Sequence, residues 1–358
     1  MSDNDERRTD QGRRGFIRGL TGLAGIGTAL RLAPLAVLPR AFAQNGGPPG
    51  REAPQPEGTR VVLLGTHGGP GVLLDRGQTA SAVVVDGTPY LIDCGYGTVR
   101  ALVASGIGMP RIGSVFLTHL HNDHTADLAA LLSFQWTGPR EMPTDVYGPY
   151  GTQALVEGAI AFFNADVEIR VVDEGRTKRP EAVYHGHDLP ATMKPTQVFK
   201  DERVTVTAVE NTHYPQRSRE RMPHRALSFR FDTPQRSVVF SGDTAYSANL
   251  VELARGADLF VCEIIDRSVY ERNVARAKAD AEAGRANSVA RHVADTHSPP
   301  ADVGRMAAEA NVKTLVLNHL LPGPRTPEGL PFPVSTFIDD VHENFPGEII
   351  VGEDLMVL

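Results

Sequence analysis

Apolar residues alternate or cluster in short runs along most of the chain, and polar, glycine-rich breaks separate them. VVLLG, opening at Arg60, has the continuous apolar character of a buried strand. TASAVVVDG and PYLIDCG are two further strands, and Asp86-Gly87 between them is a hairpin signal. TVRALVASGI has helical character, and SVFL is a strand leading into a histidine-rich loop. In DHTADLAALLSFQW, helical spacing puts Leu128, Leu131, Leu132 and Trp136 on one face. TDVYG is a strand and TQALVEGAIAFF a helix. The stretch 181–200, dense in Pro, Gly and His, is expected to be irregular.

The second half repeats the alternation. RVTVTAVE, ALSFRFD and SVVFSGD are strands, SANLVELARG a helix and DLFVCEII a strand. RSVYERNVARAKADAEAGRA is a polar, alanine-rich helix. PADVGRMAAEA follows as a helix and KTLVLNH as a strand; a last helix and EIIVGEDLMVL close the chain. This order predicts an α/β protein with two packed sheets and helices outside.

The N-terminus breaks the pattern. RRGFIRGL, the apolar TGLAGIGTALRLAPLAVL and PRAFAQ have the parts of an export signal, with a small-x-small step at Ala41-Phe42-Ala43. Arg13-Arg14 before Gly15-Phe16-Ile17 resembles a twin-arginine signal. The expected organisation is a signal peptide over 1–43, a Gly/Pro-rich linker over 44–58 and one folded domain over 59–358. A periplasmic or secreted protein follows, with no stable membrane insertion once the signal is cleaved.

Composition adds little until charge is considered. The 358 residues are 41% hydrophobic, which suffices for a large core. Formal net charge is −7, and the first 43 residues hold seven Lys/Arg and four Asp/Glu, so the remainder carries −10. That acidity argues against nucleic acid as the main substrate. Cys94 and Cys262 lie in apolar strands and are expected as buried free thiols.

THLHNDH, residues 118–124, is the main chemical signal. His119 and His121 are two apart and point the same way in an extended loop, so both can reach one ion. Asp123 and His124 follow where a helix begins and can turn toward a second ion. Imidazole with carboxylate suits zinc, and iron or manganese less specifically. Further on, His213, Asp243 and His319 each stand at the end of an apolar strand.

This order, HxHxDH, then a lone His, an Asp in a GD step and a final His, resembles the metallo-β-lactamase superfamily of binuclear metal hydrolases. The stretches VVLLGTHGGP, YLIDCGYGT, FLTHLHNDHTADL, VVFSGDT and THSPPADVGRMAAEANVKTLVLNHL are most similar to its ribonuclease Z and zinc arylsulfatase branch. The resemblance implies an αββα four-layer sandwich. It implies two zinc ions, one on His119, His121 and His213, the other on Asp123, His124 and His319, with Asp243 bridging. It implies that a metal-bound hydroxide cleaves the phosphodiester or sulfate ester bond of a small-molecule ester, and that Asp123 and His297, in THSPP, act catalytically. His297 would protonate the leaving oxygen, and Glu263 is a candidate to orient it. Alternatives on the same fold are a carboxyl ester, lactone or β-lactam hydrolase, or an iron oxygenase.

The chain departs from the tRNA-processing pattern. Only a short segment separates His213 from Asp243, without the extended arm such enzymes carry there. Arg217, Arg219, Arg221 and Arg225 form a basic patch in it. The longer insertion, Asp266 to Asp295, is expected to be helical and to serve as a lid or as the contact of a homodimer. His67 reads as a turn residue, and His185 and His187 as a surface tract.

Overall fold

The computed structural model describes residues 57–138, 142–285, 287–322 and 335–358. The expected signal and nearly all of the expected linker lie outside the described residues. Among the described residues, no helix is long and apolar enough to cross a membrane.

Two sheets form the centre. The first runs in the order β1 (Thr59–Gly65), β2 (Ala80–Val85), β3 (Thr88–Ile92), β4 (Ser114–Phe116), β5 (Thr144–Gly148), β6 (Tyr184–Asp188). Its first three strands are antiparallel, and β3 to β6 are parallel. Asp86 and Gly87 make the β2–β3 turn, with φ of 46° and 79°. The second sheet runs β13 (Glu348–Val351), β12 (Thr314–Leu321), β11 (Leu259–Ile265), β10 (Ser237–Phe240), β9 (Leu227–Asp232), β8 (Thr205–Glu210), β7 (Thr196–Lys200). Here β10 to β13 are parallel and β7 to β10 antiparallel.

The strands bury both faces, which is why they read as continuous apolar runs. Val61, Leu63, Val83 and Phe116 of the first sheet meet Val206, Phe229, Phe231 and Val238 of the second. On the outer face of the first sheet, Leu91, Val115 and Val146 pack with α1 (Thr98–Ala104), α3 (Leu128–Thr137), α4 (Thr152–Phe162) and α5 (Asn164–Asp173). On the outer face of the second, Phe260, Leu315 and Leu317 pack with α7 (Ala248–Ala254), α10 (Pro300–Ala310) and α11 (Ser335–His342). The result is the expected αββα sandwich. Leu128, Leu131, Leu132 and Trp136 are all buried, as their spacing requires.

Two local expectations fail. The stretch 181–200 is not irregular: it supplies β6 and β7, the outermost strands of the two sheets. Edge strands are half exposed, so their sequence lacks an apolar signature. His185 and His187 therefore sit on a strand, where both face Asp145, at 3.4 and 2.7 Å. The helix expected from Asp123 to Trp136 is broken into α2 (Asn122–Thr125) and α3. Between them Asp127 turns back and accepts hydrogen bonds from the Gly97 and Val99 amides. The insertion after β11 is helical, as α8 (Arg267–Glu282) and α9 (Val289–Thr296).

Candidate metal centre

Parallel strands direct their C-terminal ends to one rim of the sandwich, and the chemistry-bearing loops leave from there. His119 and His121 follow β4, His213 follows β8 and Asp243 follows β10, while Glu263 and His319 lie near the ends of β11 and β12. His119, His124, His213, Asp243 and His319 are buried; His121 is partly open. The rim is tightly built. Thr118 O accepts the Leu227 amide, linking the two sheets. Gly242 has φ 59°, and a Cβ there would lie 2.8 Å from the Thr118 Cβ. A glycine is what lets the GD step pass at that point.

The side chains form two groups of donors. His121 Nδ1 lies 3.0 Å from His119 Nε2 and 3.2 Å from His213 Nε2. In the second group Asp243 Oδ1 lies 3.1 Å from His124 Nε2 and 3.0 Å from His319 Nε2. Asp123 Oδ2 lies 3.4 Å from His319 Nε2 and 3.7 Å from His124 Nε2. The other oxygen of Asp243 is 3.7 Å from His119 Nε2, so this carboxylate stands between the groups. All seven predicted ligands are thus brought together.

The donor set fits divalent ions on three grounds. Three imidazole nitrogens converge on one another, and as lone-pair acceptors they leave the cluster short of donors. His124 Nε2 and Asp243 Oδ1 are buried and face each other at 3.1 Å without hydrogen-bond geometry. Two outward ring nitrogens are already engaged: His213 Nδ1 donates to Thr296 O at 3.2 Å, and His124 Nδ1 faces Asp93 Oδ2 at 2.9 Å. Such contacts fix the tautomer that leaves the inward nitrogen free for a metal.

Burial, reinforced by the neighbouring histidines, lowers the pKa of His119 and His213 and keeps them neutral. Burial opposes charge on His319 too, but Asp243 and Asp123 outweigh it and raise its pKa to about 10. His124 is raised likewise, against burial, by Asp243, Asp93 and Asp123. Without metal, then, the second group holds its charges as imidazolium–carboxylate pairs.

Beside the groups, His297 Nδ1 lies 2.8 Å from Glu263 Oε2, and both residues are buried. Burial lowers and Glu263 raises the His297 pKa, and the carboxylate prevails. Ser298 anchors this turn by donating to Thr244 O at 2.6 Å. Glu263, which sequence reasoning left between a strand-end residue and a partner of His297, is that partner.

Several site-building residues were not anticipated. Asp93, with φ 58°, accepts from the Thr118 amide at 2.8 Å besides contacting His124. Its signal was the polar break after PYLI. The GTHGGP loop is part of the site: the Gly69 amide donates to Asp123 Oδ2 at 2.8 Å. His67 is not a simple turn residue but is buried, bridging Gln78 and Leu320. His292, on α9, puts its ring 5.3 Å from that of His213 and 5.7 Å from that of His121. Nothing in its local sequence distinguishes it.

Three of the four arginines of the basic patch face carboxylates. Arg217 pairs with Asp295 at 2.6 Å, Arg219 with Glu210 at 3.0 Å and Arg225 with Glu210 at 3.6 Å. Both cysteines are buried free thiols, as expected.

Comparison with known proteins agrees with this geometry. The model of the beta-lactamase superfamily domain matches residues 88–320. A ribonuclease Z of Mycobacterium bovis is 28% identical over 82% of this chain and 96% of its own length. That of Mycobacterium avium is 30% identical over 73% of this chain and 86% of its own. Among solved structures, a metallo-beta-lactamase fold protein from Bacillus subtilis superposes with a TM-score of 0.58 at 18% identity, covering 84% of this chain and 98% of its own. The short form of human tRNase Z superposes with a TM-score of 0.55 at 23% identity, with the same coverages.

The curated relatives correct one expectation. Net acidity argued against nucleic acid and a small-molecule ester was expected, yet these relatives are ribonucleases. Net charge is a property of the whole surface, whereas a phosphodiester is met by the local charge of the site. From the family model and the relatives together, the chain belongs to the beta-lactamase superfamily domain family and is a metal-dependent hydrolase.

Proposed function

We propose that the protein is a zinc-dependent phosphodiesterase acting on RNA, with His119, His121 and His213 holding one ion, Asp123, His124 and His319 the other, and Asp243 bridging. The observation that carries this is the position of Asp243, one oxygen toward His119 and the other between His124 and His319. Two ions held there would supply Lewis acidity toward water and toward the charge that develops on phosphate oxygens.

The chain's own residues do the rest. Glu263 accepts from His297 Nδ1, which fixes the tautomer, stabilises the imidazolium and leaves Nε2 to give a proton to the leaving oxygen. Glu263 is also tied to the Thr244 amide, so the dyad is anchored to the segment that carries Asp243. Gly69 NH holds Asp123, and Asp93 holds His124, so ligand orientation does not depend on the ions alone.

A panel tests the reading: zinc-loaded protein against short RNA, a dinucleoside monophosphate, bis-nitrophenyl phosphate and nitrophenyl sulfate, with metal content measured on the same sample. Phosphodiester cleavage with two zinc per chain is expected. Turnover of the sulfate ester alone, or one iron and no zinc per chain, refutes it. Export rests on RRGFI and AFA at the N-terminus; fractionation of cells expressing the full chain and its Arg13→Lys/Arg14→Lys variant checks it. An equal, cytoplasmic location for both argues against export.

A further inference from the structure

A second feature adjoins the site and has no part in holding metal. Between α6 (Gln216–Arg219) and α9 lies a pocket of about 250 Å³ that reaches His121, the most open of the first three histidines. Its walls include Tyr214 and His292, whose rings lie 5.6 and 5.7 Å from the His121 ring. Its mouth carries Arg217 and Arg291, which share one acceptor: Arg217 Nη1 and Arg291 Nε each donate to Asp295 Oδ2 at 2.6 Å.

That sharing has a physical consequence. Two guanidinium groups repel, and a single carboxylate between them holds both in place while cancelling only one charge. The cluster keeps a net charge of +1, and each guanidinium spends one of its five donors on Asp295. Planar forks with spare donors suit phosphate oxygens, which they can grip in pairs. Aromatic and imidazole walls next to such a cluster suit a nucleobase or sugar face, as in single-stranded RNA recognition.

We propose that this pocket is a subsite for the nucleotide adjoining the scissile phosphate, with Tyr214 and His292 against its base or sugar and Arg217 and Arg291 on its next phosphate. This rests on the RNA phosphodiesterase reading and makes the enzyme prefer substrates with a second phosphate one nucleotide from the cut. Asp295 is a positioning residue that keeps the two forks side by side. The insertion, expected to serve as a lid or a dimer contact, thereby has a specific role, because α9 supplies His292 and Arg291 to the pocket and Asp295 to hold Arg217 and Arg291.

The test is equilibrium binding of adenosine 3′,5′-bisphosphate, by calorimetry, to zinc-loaded wild type, Arg217→Gln and Arg291→Gln. In parallel, hydrolysis is measured for bis-nitrophenyl phosphate, a dinucleoside monophosphate and the same dinucleotide with a terminal phosphate. Both arginines are partly exposed and distant from the cores, so the variants are expected to fold; thermal melts check it. Each variant should weaken bisphosphate binding roughly tenfold, the loss of one charged hydrogen-bonded contact. The salt dependence of binding should become shallower in each variant. KM should rise for the phosphorylated dinucleotide only, with bis-nitrophenyl phosphate turnover unchanged. Binding equal to wild type, or an equal loss on all three substrates, overturns the subsite. A wild type that binds the bisphosphate through these arginines but cleaves no phosphodiester refutes the phosphodiesterase reading instead.

Discussion

Replacing Gly68 by alanine should disable the second half of the metal centre without touching a ligand. A Cβ on residue 68 would lie 2.4 Å from His319 Nδ1, 2.5 Å from Cε1 and 2.8 Å from Cγ, where ordinary contact begins at 3.4 Å. The imidazole must therefore retreat by about 1 Å, because the interior is close-packed and the backbone on either side is bridged. His319 Nε2 now sits 3.0 Å from Asp243 Oδ1 and 3.4 Å from Asp123 Oδ2, and a shift of that size takes it out of the group. A misplacement of about 1 Å at a reacting centre costs on the order of 10²-fold in rate. Overpacking of this kind destabilises by about 1–3 kcal/mol. The assay is zinc content and phosphodiester kcat on the same sample, with a urea melt of the metal-free protein. Gly71→Ala is the control, since the only neighbour a Cβ there would meet is His67 Nε2 at 3.9 Å. Gly68→Ala protein that keeps two zinc ions and wild-type kcat would refute the reasoning; so would an equal loss in Gly71→Ala.

Three further outcomes are expected. Asp93→Ala removes the partner of His124 Nδ1 and the acceptor of the Thr118 amide, and should weaken zinc binding about 10- to 100-fold in a chelator competition; unchanged affinity would show that Asp93 does not orient the ligand. His297→Ala should keep both ions and lose about 10²- to 10⁴-fold in kcat, with Glu263→Gln intermediate and its pH profile displaced to lower pH, because His297 loses the carboxylate that raises its pKa. Wild-type turnover in His297→Ala would remove it from the reaction. Loading metal should release protons, since His319, with a pKa of about 10 without metal, and His124, also raised, are protonated at neutral pH and must lose that proton to bind. Affinity should therefore fall as pH falls, and calorimetry in buffers of different ionisation enthalpy counts the protons; no dependence on buffer would contradict the charge pairing in the second group.

Local pattern was enough to locate the buried strands and most helices, and it marked the seven candidate ligands that the fold brings together. It could do so because those signals are local: apolar runs mark strands packed on both faces, and candidate ligands stand where such runs end. Residues 184–188 and 196–200 escaped because edge strands, half in solvent, carry no apolar run. Net charge misled about nucleic acid because summing a chain discards where its charges lie. The remaining decisions are tertiary. Asp93, Gly68 and His292 come from three different segments, and none has a spacing that marks it. They meet only because parallel strands of both sheets end on one rim. There the register fixes which carboxylate faces His124 and how little room is left beside His319, and the insertion folds back so that α9 closes over His121.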